Sequence, residues 1–454
     1  AYNVAIGHDA GRNVSTGVNN TIVGGLTGDA LTTGTNNVAM GYGALGSEDT
    51  GGQNVAIGVN ALNTANYDGN GLNVAVGYGA GSAVTTGTLN TIIGGLAGDA
   101  LTSGAYNTAI GYQALGSEDA HGFNTAIGYL ALLTQDAGAD AYNVAVGSET
   151  GKNITTGVRN TIIGANAGDA LTTGQNNIAI GYKALTTEDT GSSNVAIGYE
   201  ALHTQDYNGH AYNVAVGFHA GVSVTTGIQN TILGGLAGDA LTTGSLNTAM
   251  GYEALSGEDT GNRNTAMGWR ALKALNYDGS AYNTAFGFSA GEAISTGLQN
   301  TIIGGLAGDS LTTGSNNVII GYNAAASAVD VQNEFTLGNS SIAALRCQVT
   351  SISSLSDKRD KKDIKDSTYG LDFVDSLKPV TFEWDQRDGN RSGIKDVGFI
   401  AQDLQEVDDE YTRLVYESNP DKLEATYGRL IPIMAKAIQE LSAEVKELKK
   451  QING

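Results

Sequence analysis

The chain has 454 residues, with 65 Gly, 3 Pro, 1 Cys and a formal net charge of −22. Residues 1–355 contain 8 Lys and Arg against 25 Asp and Glu, so we expect no nucleic-acid binding, which needs clustered cations. The lone Cys347 excludes an internal disulfide framework. No apolar run approaches the roughly 20 residues that cross a bilayer, so we expect no membrane insertion. Because the first residue is not Met, we expect the chain to be part of a longer protein.

A strict repeat occupies the first three quarters of the chain. The phrase NVAIG at Asn3 returns as NVAVG at Asn73, Asn143 and Asn213 and as NTAFG at Asn283, which defines a 70-residue block. Within each block the Asn recurs at shorter steps, in the first block at Asn3, Asn20, Asn37 and Asn54, so that each block holds four units. With NEFTLG at Asn333 as a degenerate last member, the repeat has twenty units and ends at residue 338.

Each unit predicts one coil of a parallel β-solenoid. A 17-residue unit is too short for a helical hairpin, and Gly at this density would weaken helices by about 1 kcal/mol per site. A short strand, a Gly, a second apolar piece and a polar turn give a coil that buries its apolar side only by stacking on neighbours. The predicted fold class is mainly β, a solenoid or β-roll of about twenty 17-residue coils over residues 1–338.

The alternation within each strand predicts two different faces. Val4 and Ile6 lie on one face, and Asn3 and Ala5 lie on the other. Asn at a fixed position in each coil predicts an amide ladder along the stack. The small Ala predicts close approach of another chain, and we therefore expect a homotrimer.

The turns carry recurring acidic pairs. These are Glu48-Asp49, Glu118-Asp119, Glu188-Asp189 and Glu258-Asp259. Calcium binding is an alternative, since Asp206-Tyr207-Asn208-Gly209 resembles part of a cation loop, but no closing Glu follows at the required distance. Glycan hydrolysis is another, although catalytic carboxylates come from separate segments. We interpret the pairs as solvated turns, expect no metal and no cofactor, and expect recognition in the variable turns of every fourth coil.

The last hundred residues have a different character. Residues 339–355 predict a β-rich connector, and residues 356–454 predict a small α+β domain. YGLDFVDSLKPVTFEWD predicts a short helix, a break at Pro379 and a strand with Val380, Phe382 and Trp384 on one face. VGFIAQDLQEV predicts a strand or turn that leads into a short helix.

The C-terminal segment predicts a helix over residues 430–452. Its apolar residues alternate steps of three and four, namely Ile431, Met434, Ile438, Leu441, Val445, Leu448 and Ile452. This spacing is typical of the seam of a coiled coil. A single amphipathic helix that packs on its own domain is the alternative. A parallel three-stranded coiled coil would set the register of the chains at one end of the rod.

The repeat resembles two groups of surface-binding proteins. NTAIGYQAL at 107–115 and NVAIGYEAL at 194–202 are similar to the Asn-x-Ala-x-Gly head repeats of trimeric autotransporter adhesins and to repeats of bacteriophage tail fibres. The resemblance covers nearly all of the repeat region and implies parallel, trimeric β-rolls that bind surfaces, although the unit here is longer than the adhesin step.

A second resemblance concerns the C-terminal domain. SDKRDKKDI at 356–364, LKPVTFEWD at 377–385, VGFIAQDLQEV at 397–407 and YGRLIPIMAKAIQELSAEV at 427–445 resemble the intramolecular chaperone of phage endosialidases and tail fibres, the peptidase S74 family. The resemblance implies a domain that trimerises, drives folding of the preceding fibre and then cuts itself off.

The resemblance also implies the site of the cut. The family's Ser-Asp-x-Arg-x-Lys pattern falls on Ser356, Asp357, Arg359 and Lys361. Ser356 would attack the carbonyl of Leu355, with Lys361 as base and Asp357 and Arg359 in support. A Ser hydroxyl needs such a base, and a Lys serves as one only when burial or a neighbouring cation lowers its pKa.

The predicted function is a homotrimeric phage tail fibre, shaft or tip, matured by an autoproteolytic Ser-Lys peptidase that acts once, in cis, with no external substrate. The expected partners are a host cell-surface receptor, glycan or protein, and other tail proteins upstream. The expected location is the virion tail, assembled in the host cytoplasm and extracellular after release. The alternatives are a bacterial trimeric adhesin without autoproteolysis and the distal part of an enzymatic tailspike with its catalytic domain upstream.

Overall fold

The computed structural model describes residues 2–342, 344–346, 348, 356–386 and 392–453. Its first part contains twenty strands of equal length. In chain order, β1 to β20 are Val4–Ile6, Thr21–Val23, Val38–Met40, Val55–Ile57, Val74–Val76, Thr91–Ile93, Thr108–Ile110, Thr125–Ile127, Val144–Val146, Thr161–Ile163, Ile178–Ile180, Val195–Ile197, Val214–Val216, Thr231–Leu233, Thr248–Met250, Thr265–Met267, Thr284–Phe286, Thr301–Ile303, Val318–Ile320 and Phe335–Leu337.

These strands form one parallel sheet along the rod. Each strand pairs in register with the next one in the chain, from β1 with β2 to β19 with β20. Each coil contributes a single strand to this sheet, and turns make up the rest of the coil. The predicted solenoid of about twenty coils is therefore confirmed.

The strands are short because a Gly ends each of them. Gly7 has φ of 134°, and a Cβ built on it would lie 2.2 Å from the carbonyl oxygen of Gly24 in the next coil. Gly24 meets Gly41 in the same way, with a Cβ contact at 2.8 Å. An L side chain fits neither this backbone conformation nor this approach, so the coil turns at a fixed point after its strand.

The core lies inside each chain's own coils. Ala39, Ala56 and Ala75, the central residues of their strands, are fully buried in the intrachain core. The second coil of each block has Ile instead of Ala at this position, for example Ile22 and Ile92. The expectation that the small Ala face receives another chain is therefore wrong. The Ala packs inwards because a 17-residue coil encloses little space, which Leu and Ile side chains from the turns fill.

The predicted amide ladder is made between side chains and the backbone. Asn20 donates its backbone N–H to Oδ1 of Asn3 at 2.9 Å, and its Nδ2 donates to the carbonyl of Gly34 at 2.9 Å. Asn37 repeats both bonds one coil further on. These Asn side chains are buried, and satisfied buried hydrogen bonds each contribute about 1 kcal/mol.

The ladder also corrects the register of the last coil. The backbone N–H of Glu334 donates to Oδ1 of Asn317 at 2.9 Å, so Glu334 occupies the ladder position. Asn333 lies one residue earlier, beside Asn316, whose Nδ2 donates to its Oδ1 at 2.7 Å. The regular 17-residue step from Asn317 leads to Glu334 rather than to Asn333.

The acidic turns are only half solvated. The Glu of each pair is fully buried, at Glu48, Glu118, Glu188 and Glu258. The carboxylate of Glu188 accepts backbone N–H groups from Gly191 at 2.6 Å and from Tyr207 at 3.3 Å. Asp189, the other member of this pair, is exposed. The expectation of solvated pairs is therefore wrong for the Glu residues, because each closes its own turn from inside.

The described residues of the C-terminal domain form three α-helices and two small antiparallel sheets. Helix α1 is Leu371–Ser376, α2 is Ala401–Gln405 and α3 is Leu430–Asn453. Strands β21 (Val380–Asp385) and β22 (Ser392–Gly398) form one sheet, and β23 (Val415–Tyr416) and β24 (Glu424–Ala425) form the other. The predicted break at Pro379 and the partly buried face of Val380, Phe382 and Trp384 are confirmed.

Helix α3 packs on its own domain with one face and leaves its heptad seam free. Leu430 and Ile433 belong to the domain core together with Leu404 and Leu414. The seam residues are exposed, with fractions between 41% for Val445 and 81% for Ile452. The interpretation of α3 as an amphipathic helix that packs on its own domain is confirmed for the face of Leu430 and Ile433. The coiled coil stays a prediction for the exposed seam.

The predicted connector is only partly described. Residues 339–342, 344–346 and 348 contain no strand, and residues 349–355 lie outside the described part of the chain. Among the described helices, none has the length and apolar character that a membrane span requires.

Candidate functional site

The structure brings Ser356 and Lys361 together at the start of the C-terminal domain. Lys361 Nζ donates a hydrogen bond to Ser356 Oγ. The two residues meet because the chain makes a 3-10 turn over Lys358–Asp360, which the backbone N–H of Lys361 closes on the carbonyl of Lys358 at 3.2 Å. Leu355, and with it the predicted scissile bond, lies outside the described residues.

Asp357 and Arg359 fix this turn. Asp357 Oδ1 accepts the backbone N–H of Arg359 at 2.8 Å, and Arg359 Nη2 donates to Asp357 Oδ2 at 2.6 Å. These bonds to Arg359 lower the pKa of the Asp357 carboxyl. The charge of Arg359 is therefore engaged by Asp357, so its role is to hold the turn rather than to act on Lys361.

Within a single chain, the Ser356–Lys361 pair lies at the solvent-exposed surface. Both Ser356 and Lys361 are exposed. A Lys becomes an effective general base when its ammonium form loses water, because burial disfavours the charged state. The hydrogen bond that proton transfer from Oγ to Nζ requires is present, and the described residues of this chain do not bury the pair.

The domain also contacts the last coil of the rod. Tyr416 of β23 donates its hydroxyl to Glu334 Oε2 at 3.3 Å, and the hydroxyls of Ser327 and Ser418 lie 2.6 Å apart. Glu334 is held by the backbone N–H of Ser327 at 3.0 Å. This contact was not predicted, and its sequence signal is the replacement of the ladder Asn by Glu334 in the last coil.

The fold defines a solenoid protein whose rod is followed by a small α+β domain with an exposed helical seam. Residues 356–415 match the Peptidase S74 family, described as the chaperone of endosialidase. The chain thus carries an S74 chaperone domain directly after its solenoid, and is a tail-fibre- or endosialidase-like protein in this respect. No curated protein and no solved structure shows a significant match.

The limits of the family match agree with the candidate site. The match begins at Ser356 itself, and it includes the motifs at 377–385 and 397–407. It ends at Val415, before the motif at 427–445 and helix α3.

Proposed function

We propose that the chain is the shaft or tip of a bacteriophage tail fibre, and that its S74 domain cuts the peptide bond between Leu355 and Ser356. The observation that carries this proposal is the hydrogen bond from Lys361 to Ser356 at the first residue of the family match. The reaction runs once in each chain, and no external substrate is involved.

The chemistry begins with Lys361 in its neutral form. Nζ takes the proton of Ser356 Oγ, and Oγ attacks the carbonyl carbon of Leu355. The peptide C–N bond breaks as the Ser356 nitrogen takes up a proton, which leaves an ester between Leu355 and the Ser356 hydroxyl. Water then hydrolyses the ester to a rod that ends at Leu355 and a separate chaperone that begins at Ser356.

We also propose that the active form is a homotrimer. The exposed seam of α3 supplies large apolar side chains without a partner in their own domain, and a coiled coil would bury them. Because Ser356 and Lys361 are exposed in the single chain, a neighbouring subunit would supply the burial that lowers the pKa of Lys361. Cleavage would therefore follow assembly.

We propose that the rod contacts a host cell-surface receptor, either a glycan or a protein. The rod would be a component of the virion, joined to other tail proteins upstream of it. Its outer surface carries stacked, exposed aromatic rings such as Tyr106, Phe123 and Tyr142, with centroids 4.9 and 5.1 Å apart. Such rings offer flat, partly apolar contact surfaces with little entropy to lose.

The test of cleavage compares the wild-type chain with Ser356→Ala and Lys361→Ala on denaturing gels and by intact mass. We expect two fragments from the wild type and one full-length chain from each variant, because either change removes the nucleophile or its base. The rate of cleavage is expected to fall by about a hundredfold or more, as for the loss of a general base.

The matched control is Lys362→Ala, which removes an exposed cation next to the site and should leave two fragments. Identical gels for wild type and Ser356→Ala would contradict the proposal and favour an adhesin without autoproteolysis. A cut at any bond other than Leu355–Ser356 would also contradict it.

A further inference from the structure

We propose that the second 70-residue block binds one divalent transition-metal ion through Glu118, Asp119, His121 and Asp136. One ligand atom of each residue lies within 4.8 Å of the others. Ligand atoms that share a Zn²⁺ at about 2.0–2.2 Å lie about 3 to 4 Å apart, so the four groups need only small movements to surround one ion.

Two neighbouring coils supply these groups. Glu118, Asp119 and His121 come from the turn after β7, and Asp136 comes from the loop after β8. The backbone of the turn is fixed, since the carbonyl of Asp119 accepts the Thr102 hydroxyl at 3.0 Å and that of His121 accepts Asn107 Nδ2 at 2.9 Å. A metal ion at this point would tie the two coils together.

The donor set selects the type of ion. Calcium and magnesium sites are built from oxygen ligands, whereas an imidazole nitrogen beside carboxylates is typical of Zn²⁺ and related ions. His121 Nδ1 lies 3.1 Å from Glu118 Oε1, which is the spacing of two ligand atoms that share one ion.

The buried carboxylate has an unsatisfied oxygen. Glu118 is fully buried, and its Oε2 has no hydrogen-bond partner among the described residues. Between Arg12 and Lys152 the sequence contains no Lys or Arg that could neutralise the three carboxylates. A divalent cation would give Oε2 a ligand bond and reduce the repulsion among them.

The other blocks lack this combination. The position of His121 is Gly51, Gly191 and Gly261 in the first, third and fourth blocks. Glu48 of the first block has the same unpartnered Oε2, but Asn66 stands where the second block has Asp136. The third block has a cluster of carboxylates without a His, formed by Glu188, Asp189 and Asp206. Backbone N–H groups already donate to both carboxylate oxygens of Glu188.

The repeat supplies variants that suit the coil. His121→Gly and Asp136→Asn introduce residues that other blocks carry at the same positions. The full chain is prepared without a polyhistidine tag, stripped with a chelator and titrated with Zn²⁺ by calorimetry. We expect the wild type to saturate at one ion per chain. In each variant the Zn²⁺ affinity should fall by about tenfold or more, because even the loss of a residue that only hydrogen-bonds to a metal ligand lowers metal affinity by that factor.

The matched control is Asp206→Asn in the carboxylate-only cluster of the third block, which should leave the Zn²⁺ affinity unchanged. The proposal is overturned if the wild type binds no more Zn²⁺ than the double variant His121→Gly/Asp136→Asn. The proposal is also overturned if Asp206→Asn weakens Zn²⁺ binding as much as His121→Gly does, because Zn²⁺ would then bind to acidic turns in general and not to the site in the second block.

Discussion

At the scale of single residues, the rod depends on polar side chains that are buried and satisfied. The ladder Asn accepts a backbone N–H of the following coil, and the turn Glu closes its own loop. The sequence predicted the Asn ladder, whereas the Glu residues were expected at the surface, because Glu is mostly exposed in proteins. They are inside because so short a coil leaves backbone N–H groups that no strand can pair, and a buried unpaired N–H is costly.

Glu188 carries a prediction about pH. Burial raises the pKa of its carboxyl from 4.5 to about 7. The folded state therefore holds the proton more tightly than the unfolded state, so the stability contribution is complete below pH 4.5 and is lost as the pH rises to about 7. The expected loss is at most about 3 kcal/mol, from about 1.4 kcal/mol per pKa unit.

Thermal unfolding of Glu188→Gln between pH 4 and 8 tests this expectation. The thermal stability of the variant should fall less between pH 4 and 8 than that of the wild type, because Gln does not titrate. Asp189→Asn, which changes the exposed neighbour, should retain most of the decline. Parallel profiles for wild type and Glu188→Gln would show that Glu188 does not titrate in this range.

At the scale of elements, α3 has two apolar faces with different tasks. Leu430 and Ile433 pack in the domain core, while the seam around Ile438 is exposed and is the face that we propose for assembly. The heptad alone does not select three strands, since β-branched residues at one seam position and Leu at the other favour two. The trimer rests on the resemblance of the domain and the repeat to trimeric families.

Two substitutions separate these faces. Ile438→Asp places a charge on the free seam and should convert the trimer into monomers without loss of the domain fold. Ile433→Asp places the charge in the domain core and should unfold the domain, at a cost of about 3 kcal/mol or more. Light scattering reports the mass, and circular dichroism reports the helix content.

The control for the seam is Ala443→Asp, which changes an exposed residue on the face of the same helix that points away from the heptad seam and should change neither measurement. A wild-type mass of one or two chains would contradict the proposed trimer.

At the scale of the whole molecule, the rod presents a problem of register. Each strand pairs with the strand of the next coil along the chain, so pairing within the chain is local. The blocks are nearly identical, however, and a slip by one whole block would restore most contacts. The hydrogen bond from Tyr416 to Glu334 joins the domain to the last coil, and we expect this contact to fix one end of the stack during folding.

Removal of the domain before folding tests this role. We expect residues 1–355 expressed alone to be largely insoluble, because open strand edges associate when no end is fixed. The Ser356→Ala chain keeps the domain attached and should give soluble rod. Sedimentation of both preparations measures the difference, and equal yields of soluble rod with equal thermal midpoints would refute the role.

The sequence alone determined the repeat, its β character, the short elements around Pro379 and the C-terminal helix. These follow from local periodicity, because strands and helices have fixed spacings of side chains along the chain. The pattern of residues also pointed to Ser356 and Lys361 through their resemblance to a family.

Only the tertiary structure decided which side of the strand faces inwards, which acidic residues are buried and which residues of different coils share one site. Ala39 and Glu118 became interior residues, and His121 came close to Asp136 of the next coil. A repeat fixes the position of each residue within its coil. The path that the turns take through space, set by Gly7 and its equivalents, decides what each residue meets in the coils above and below.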